Sequence, residues 1–123
     1  MTNTIKFCED VTLVRGSSYY DWVVKASKTQ IMNALGIKPS YFGNKKDSKV
    51  NYSWKLLLNN SIPFIIYDMS YGHKVGKDMV IEYHIGWKEE NDNIGDITLL
   101  ISTLKELGLN VDHSEMWYKY RNK

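Results

Sequence analysis

The sequence predicts an α+β fold built on a mainly antiparallel sheet, and three observations predict it. Residues 50–59 and 79–87 are two stretches in which apolar and polar residues alternate with a period of two, and Ile62 to Asp68 between them reads as a partner strand. Residues 94–107 carry apolar side chains at helical spacing, between an Asn and a Gly. A second, shorter helix signature occupies 28–35, between strand-like segments. Short links between successive strands imply antiparallel pairing, which lets helices cover one face of the sheet while the other stays wet.

Near the N-terminus, Ile5 to Phe7 and Val11 to Arg15 are β-leaning runs separated by Cys8-Glu9-Asp10, which together suggest a hairpin. Gly16-Ser17-Ser18 breaks the chain, and Tyr19 to Lys25 reads as a strand because Tyr, Trp and Val suit a pleated surface. Ser27-Lys28-Thr29-Gln30 then matches a capping box, with the Ser hydroxyl and the Gln side chain each satisfying a backbone N–H. Ile31, Met32 and Leu35 share a helical face, Gly36 stands where a left-handed residue ends a helix, and Pro39 follows.

Tyr41 to Lys49 is a polar, Lys-rich loop. Val50, Tyr52, Trp54, Leu56 and Leu58 form one face of the next strand. Asn59-Asn60-Ser61 turns the chain, and Ile62 to Asp68 returns beside it, with Pro63 near the start, where its missing N–H is tolerated. Tyr71 to Asp78 reads as a loop. Met79, Ile81, Tyr83, Ile85 and Trp87 alternate with Val80, Glu82, His84 and Gly86, giving the third strand of the meander. Trp54, Trp87, Tyr52 and Tyr83 are thereby assigned to the core.

Ile94, Ile97, Ile101 and Leu104 define the long helix, with Leu100 and Leu107 widening its stripe. Asn93 caps it, Asp96 favours its first turn, and Gly108 with Leu109 ends it in the Schellman manner. The expected order is β-β-β-α-β-β-β-α followed by an aromatic tail at 110–123. Met116, Trp117, Tyr118 and Tyr120 in that tail suit docking on the chain's own sheet or on a second subunit.

The chain has 123 residues, which suits one domain, and no repeat or Pro-rich linker divides it. The single Cys8 excludes an internal disulfide framework and fits a reducing compartment. No apolar run is long enough to span a bilayer, and Met1 to Asp10 lacks the apolar core of a signal peptide. A net charge of +2 excludes imitation of DNA, which needs a strongly acidic surface. Strong DNA binding is not expected either: there is no basic stripe, and only Arg15 and Arg121 among the basic residues offer the guanidinium fork. Aromatic residues make up 13% of the chain, enough to supply a core and leave a surplus for stacking or an interface.

Catalytic equipment is sparse. Glu82 and His84 lie two apart on a strand and share a face, and Asp68 on the neighbouring strand joins them if the register allows. Such a carboxylate–His–carboxylate cluster suits proton transfer or a metal. No zinc spacing, nucleophile elbow or phosphate-loop motif occurs, however, so no catalytic residue, metal or cofactor is assigned. Tyr71-Gly72-His73-Lys74-Val75-Gly76-Lys77 faintly resembles a phosphate loop, in which freed N–H groups and flanking Lys meet an anion. With an exposed aromatic for stacking, this gives Tyr41, Tyr71, His73, Lys74, Lys77 and His84 as expected ligand contacts, and Trp117, Tyr118 and Tyr120 as an expected interface.

Three stretches of the middle of the chain stand out: Tyr52-Ser53-Trp54, Phe64-Ile65-Ile66-Tyr67-Asp68 and Tyr83-His84-Ile85-Gly86. Residues 50–107 resemble a group of small phage-encoded proteins of unassigned function whose pattern is a Trp-containing strand, F-x-I-Y-D, W-H-I-G-G and a C-terminal helix. This chain departs from that pattern at Tyr83 and at Trp87. The resemblance implies a phage origin, and hence action in the cytoplasm of an infected bacterium, but it supplies no activity. A small phage protein without catalytic equipment is expected to work by binding. The first expectation is a sponge for a nucleotide immune signal, homo-oligomeric because one small sheet encloses little volume. The alternative is a protein inhibitor of a host defence complex, as anti-CRISPR proteins are. A small nuclease or phosphodiesterase using His84, Glu82 and Asp68 ranks third.

Overall fold

A computed structural model of the chain describes residues 3–14, 17–41, 50–69, 75–88 and 94–114. The elements are β1 (Ile5–Phe7), a 3-10 turn (Val11–Leu13), β2 (Ser18–Ala26), α1 (Lys28–Leu35), β3 (Ser40–Tyr41), β4 (Tyr52–Leu58), β5 (Ile62–Tyr67), β6 (Ile81–Trp87), α2 (Ile94–Glu106) and β7 (Val111–His113). The α+β class and the antiparallel sheet are as the sequence predicts. Six strands lie in the order β1-β4-β5-β6-β2-β7, and the two-residue β3 pairs with the start of β4, on the edge whose far end β1 occupies. All pairings are antiparallel.

The expected N-terminal hairpin does not form. The Asp10 carboxylate accepts the Thr12 N–H at 3.0 Å and its hydroxyl at 2.6 Å, and the Leu13 N–H closes on the Asp10 carbonyl at 3.1 Å. Local side-chain capping thus wins over β propensity. β1 pairs instead with β4, setting Ile5 opposite Leu58 and Phe7 opposite Leu56.

α1 starts on the expected capping box: Ser27 Oγ accepts the Gln30 N–H at 3.1 Å, and Gln30 Oε1 accepts the Ser27 N–H at 2.8 Å. Gly36 ends α1 at φ 69°, and Gly108 follows α2 at φ 90°. Both angles disfavour a side chain. The Schellman bonds run from Gly108 N to Lys105 O at 3.0 Å and from Leu109 N to Leu104 O at 3.3 Å. They turn Leu109 inward to a buried position.

The meander runs as expected, with shorter strands. β4 starts at Tyr52 and β6 at Ile81, leaving Met79 50% and Val80 64% exposed just before β6. Asn59 and Asn60 turn the hairpin at φ 52° and 62°, a region Asn tolerates. Both helices cover the same sheet face. Ile31 of α1 and Leu100, Ile101 and Leu104 of α2 join Trp54, Phe64, Tyr83 and Trp87 in one buried cluster. Trp54 meets Tyr83 edge-on at 5.7 Å, and its Nε1 donates to the Ile37 carbonyl at 2.9 Å. Tyr52 is half-buried at the margin of the cluster. Leu107 departs from the expected stripe and remains 40% exposed.

Candidate functional site

The sheet face away from the helices carries the His84 cluster. A cross-sheet row runs Ser53–Tyr67–His84–Val23–Asp112, and the adjacent row runs Lys55–Ile65–Gly86–Tyr19. Between Tyr19 and Val23 the register shifts: Tyr20, Asp21 and Trp22 stand against Ile85 alone, with Asp21 at φ 77°. The shift leaves Tyr19 opposite Gly86, which has no side chain to block it. The Tyr19 ring stacks on His84 at 3.9 Å, and Tyr67 meets His84 edge-on at 5.3 Å. Burial lowers the His84 pKa, and the Glu82 and Asp68 carboxylates offset part of that shift. Among the described residues the buried His84 Nδ1 has no hydrogen-bond partner. Burial likewise pushes the pKa of the Tyr19 hydroxyl up to about 12, and the Asp21 and Glu82 charges add to the shift.

The cluster does not assemble as a relay. Tyr67, not Asp68, stands opposite His84 in the register. Asp68 is fully buried and serves the backbone. Its Oδ1 accepts the N–H groups of Asn51 at 2.8 Å and Tyr52 at 2.6 Å, and its Oδ2 accepts Asn51 Nδ2 at 3.0 Å. Glu82 does share the His84 face, but its Oε1 accepts the Ser114 hydroxyl at 2.8 Å. Ser114 therefore gives its proton to a carboxylate, not to the imidazole. Among the described residues no group of three or more His, Cys, Asp or Glu is placed to hold a metal ion.

A second group lies at the sheet end where α1 begins. Lys28 Nζ sits 4.5 Å above the Tyr52 ring. Tyr41 stands opposite Tyr52 in the β3–β4 register. The Lys77 carbonyl accepts both the Thr29 N–H at 3.0 Å and its hydroxyl at 3.1 Å. This loop therefore helps to cap α1, and Ser27 takes another of the helix's first N–H groups. An anion here would be met by the Lys28 and Lys77 side chains rather than by helix N–H donors. The structure brings Tyr41 and Lys77 to this end and sets His84 on the sheet face. Tyr71, His73, Lys74, Trp117, Tyr118 and Tyr120 lie outside the described residues.

An open cleft lies elsewhere, between α1 and the turn that follows α2. A cleft of about 430 Å³ is lined by Lys25 and Ala26 from β2, Gln30, Asn33 and Ala34 from α1, and Leu107 to Asn110. The lining residues include three carboxamides and no carboxylate; Lys25 contributes backbone, because its side chain shares the sheet face of His84 and Glu82. Lys25 stands opposite Glu82 in the β2–β6 register, and its N–H donates to the Asn110 carbonyl at 2.8 Å, tying the turn to β2. A Cβ built on Gly108 would meet nothing within 4 Å, so the chain turns the corner over open space. No protein-family model, curated protein or solved structure matches the chain.

None of Tyr41, Lys77 and His84 lines this cleft. Sequence reasoning missed its residues because Asn33 and Asn110 are isolated polar residues with no motif around them. The available signal was Leu107, which lies at the end of the helical stripe beside the terminating Gly108. An apolar residue there can turn outward as the helix unwinds.

Proposed function

We propose that this chain is a non-catalytic phage counter-defence protein that binds and sequesters a nucleotide immune signal in the infected host's cytoplasm. The observation that carries the reading is the lining of the cleft. Its volume of about 430 Å³ falls in the range of small-molecule sites, roughly 300–1,000 Å³. Its lining presents hydrogen-bonding amides and the apolar Leu107 and Ala34, with no carboxylate to repel an anion. A nucleotide combines a flat ring and a polar edge, and each has a counterpart there. The likeness of residues 50–107 to phage-encoded proteins supports the origin.

The test is native mass spectrometry of the protein with a panel of cyclic and linear nucleotides. Gain of intact ligand mass is the expected result, and the same spectrum reads whether the protein is the homo-oligomer anticipated for a sponge. Ligand returned as fragments would replace the sponge with an enzyme, and an unshifted protein across the panel would overturn the reading. The second reading, an inhibitor that docks on a host defence protein, draws on adjacent Met79 and Val80, both exposed before β6. No helix among the described residues is long and apolar enough to cross a membrane.

A further inference from the structure

We propose that copies of this chain join head to tail, the β1 edge of one against the β7 edge of the next, into a continuous antiparallel sheet. This self-assembly is independent of the nucleotide-binding reading above.

Both edges offer unused backbone groups. The Thr4 carbonyl accepts the Asn59 N–H and the Cys8 N–H donates to the Lys55 carbonyl, both at 2.8 Å. Hydrogen bonding alternates along an antiparallel strand, so Ile5 and Phe7 point their N–H and C=O groups away from β4. On β7, the Asn110 carbonyl accepts the Lys25 N–H at 2.8 Å and the Ser114 N–H donates to the Asp21 carbonyl at 2.9 Å. Val111 and His113 therefore point theirs away from β2. Among the described residues no strand pairs with either outer edge.

Strand direction and pleat both match. The path β1-β4-β5-β6-β2-β7 has six strands, each antiparallel to its neighbour, so its first and last strands run in opposite directions. A second copy set alongside with its helices on the same face thus lays its β7 antiparallel to β1. Ile5 and Phe7 stand opposite the core residues Leu58 and Leu56. Val111 lies in that core, and His113 stacks on Trp22 at its margin. The outward-bonding residues of both edges therefore share the helix face, as paired residues must. One register uses all four: Ile5 opposite His113 of the next copy, and Phe7 opposite its Val111. It gives Phe7, 46% exposed in the single chain, an apolar neighbour.

Charge selects the partner. In this register Lys6 stands directly opposite Asp112 of the next copy, on the face away from the helices, and opposite charges so placed stabilise a sheet. Pairing two β1 edges through Ile5 and Phe7 would set Lys6 against Lys6. Pairing two β7 edges would set Asp112 against Asp112. Symmetric pairs are thus disfavoured and the mixed pair is matched. In the single chain Asp112 Oδ1 accepts the His113 N–H at 2.8 Å and shields that outward donor. Turning to Lys6 releases it to the Ile5 carbonyl. Each added copy presents the same two edges, so growth gives an open chain or a ring. The paired strands are three residues long, which keeps each contact weak.

The experiment is sedimentation velocity of the full chain up to about 1 mM, the range of weak contacts, at low and high salt. Wild type is compared with Lys6→Glu, Asp112→Lys and an equimolar mixture of the two variants. Both positions are exposed, and circular dichroism checks that each variant keeps its fold. The wild-type sedimentation coefficient is expected to rise past that of a dimer, less so at high salt. Each variant alone is expected to associate at least about tenfold more weakly. The mixture should regain association, because the altered edge of each variant matches the altered edge of the other. Amide exchange at Ile5, Phe7, Val111 and His113 should slow as concentration rises. Wild type that stays monomeric overturns the proposal, as does a plateau at a closed dimer. Association that neither variant weakens also overturns it, because the contact then lies on another surface.

Discussion

Tyr19 and His84 stack with ring centroids 3.9 Å apart and planes within 12°, although their own strand partners are Gly86 and Val23. The diagonal contact needs Gly86 to leave the space over its backbone empty. The β2 irregularity preserves the side on which Tyr19 points, because three residues against one is an insertion of two and keeps the pleat in phase. The packed ring partly removes His84 from water, and that burial lowers its pKa.

A pH dependence follows from that shift. The folded state holds His84 neutral below its ordinary value of 6.5, so the unfolded chain takes up the proton first. Stability from this group is full above about pH 6.5 and is lost as pH falls through the window beneath it. Urea unfolding at pH 7.5 and pH 5 is expected to show a smaller loss on acidification for His84→Gln than for wild type. Equal losses would mean that His84 is not the titrating group.

Asp68 answers three donors from Asn51 and Tyr52, so Asp68→Ala leaves buried N–H groups unsatisfied. The expected cost is about 3 kcal/mol, with Asp68→Asn costing less because one oxygen remains to accept the two backbone N–H groups. Thermal unfolding of both variants checks the order.

At α1, Ser27→Ala is expected to cost ~1 kcal/mol. Because Ser27 and Gln30 bond reciprocally, Ser27→Ala and Gln30→Ala should not add: the double variant should cost less than the two singles together. A strictly additive double-mutant cycle would show the box to be two independent caps.

Leu104 and Leu107 belong to one helical stripe in the sequence but to different environments in the fold. Leu104→Ala removes a fully buried side chain and should cost roughly 2–5 kcal/mol. Leu107→Ala should change stability by less than about 0.5 kcal/mol, as surface changes do. Chemical denaturation distinguishes the two, and equal costs would place Leu107 in the core.

Gly108→Ala introduces a side chain at φ 90° with no atom within 4 Å to clash with, so backbone conformation alone sets its effect. The expected loss is ~1–2 kcal/mol, with Gly108→Asn milder because Asn tolerates the left-handed region. A neutral Ala variant would mean that the helix ends without this turn.

The meander and both helices were legible because each carries a local signal: alternation around Trp54 and Tyr83, a capping box at Ser27, a terminating Gly after α2. The misread parts were decided by partners distant in sequence or by side chains competing with the backbone. Val11–Leu13 has strand-like residues, yet the Asp10 carboxylate bends it into a 3-10 turn. β7 is three residues long and exists because β2 offers it a ladder. The pairing of Glu82 with His84 on one face could be read from their spacing, and the commitment of Asp68 to Asn51 and Tyr52 could not. The cleft was least legible of all, since α1 and the α2–β7 turn that wall it are more than seventy residues apart in the chain.

The seam between β2 and β6 joins Val23 to His84, while β4, β5 and β6 connect through neighbouring segments. Closing that seam brings together residues separated by roughly sixty positions, an entropic toll that the local hairpins do not carry. The same seam completes the sheet face that bears Tyr19 and His84, and β2 in turn templates β7, whose approach forms one wall of the cleft. Assembly of the chain's binding surfaces is therefore coupled to its slowest kind of contact. The β4–β5 hairpin can form from its own turn and cross-strand pairs, but the cleft exists only once the first and last thirds of the chain have met.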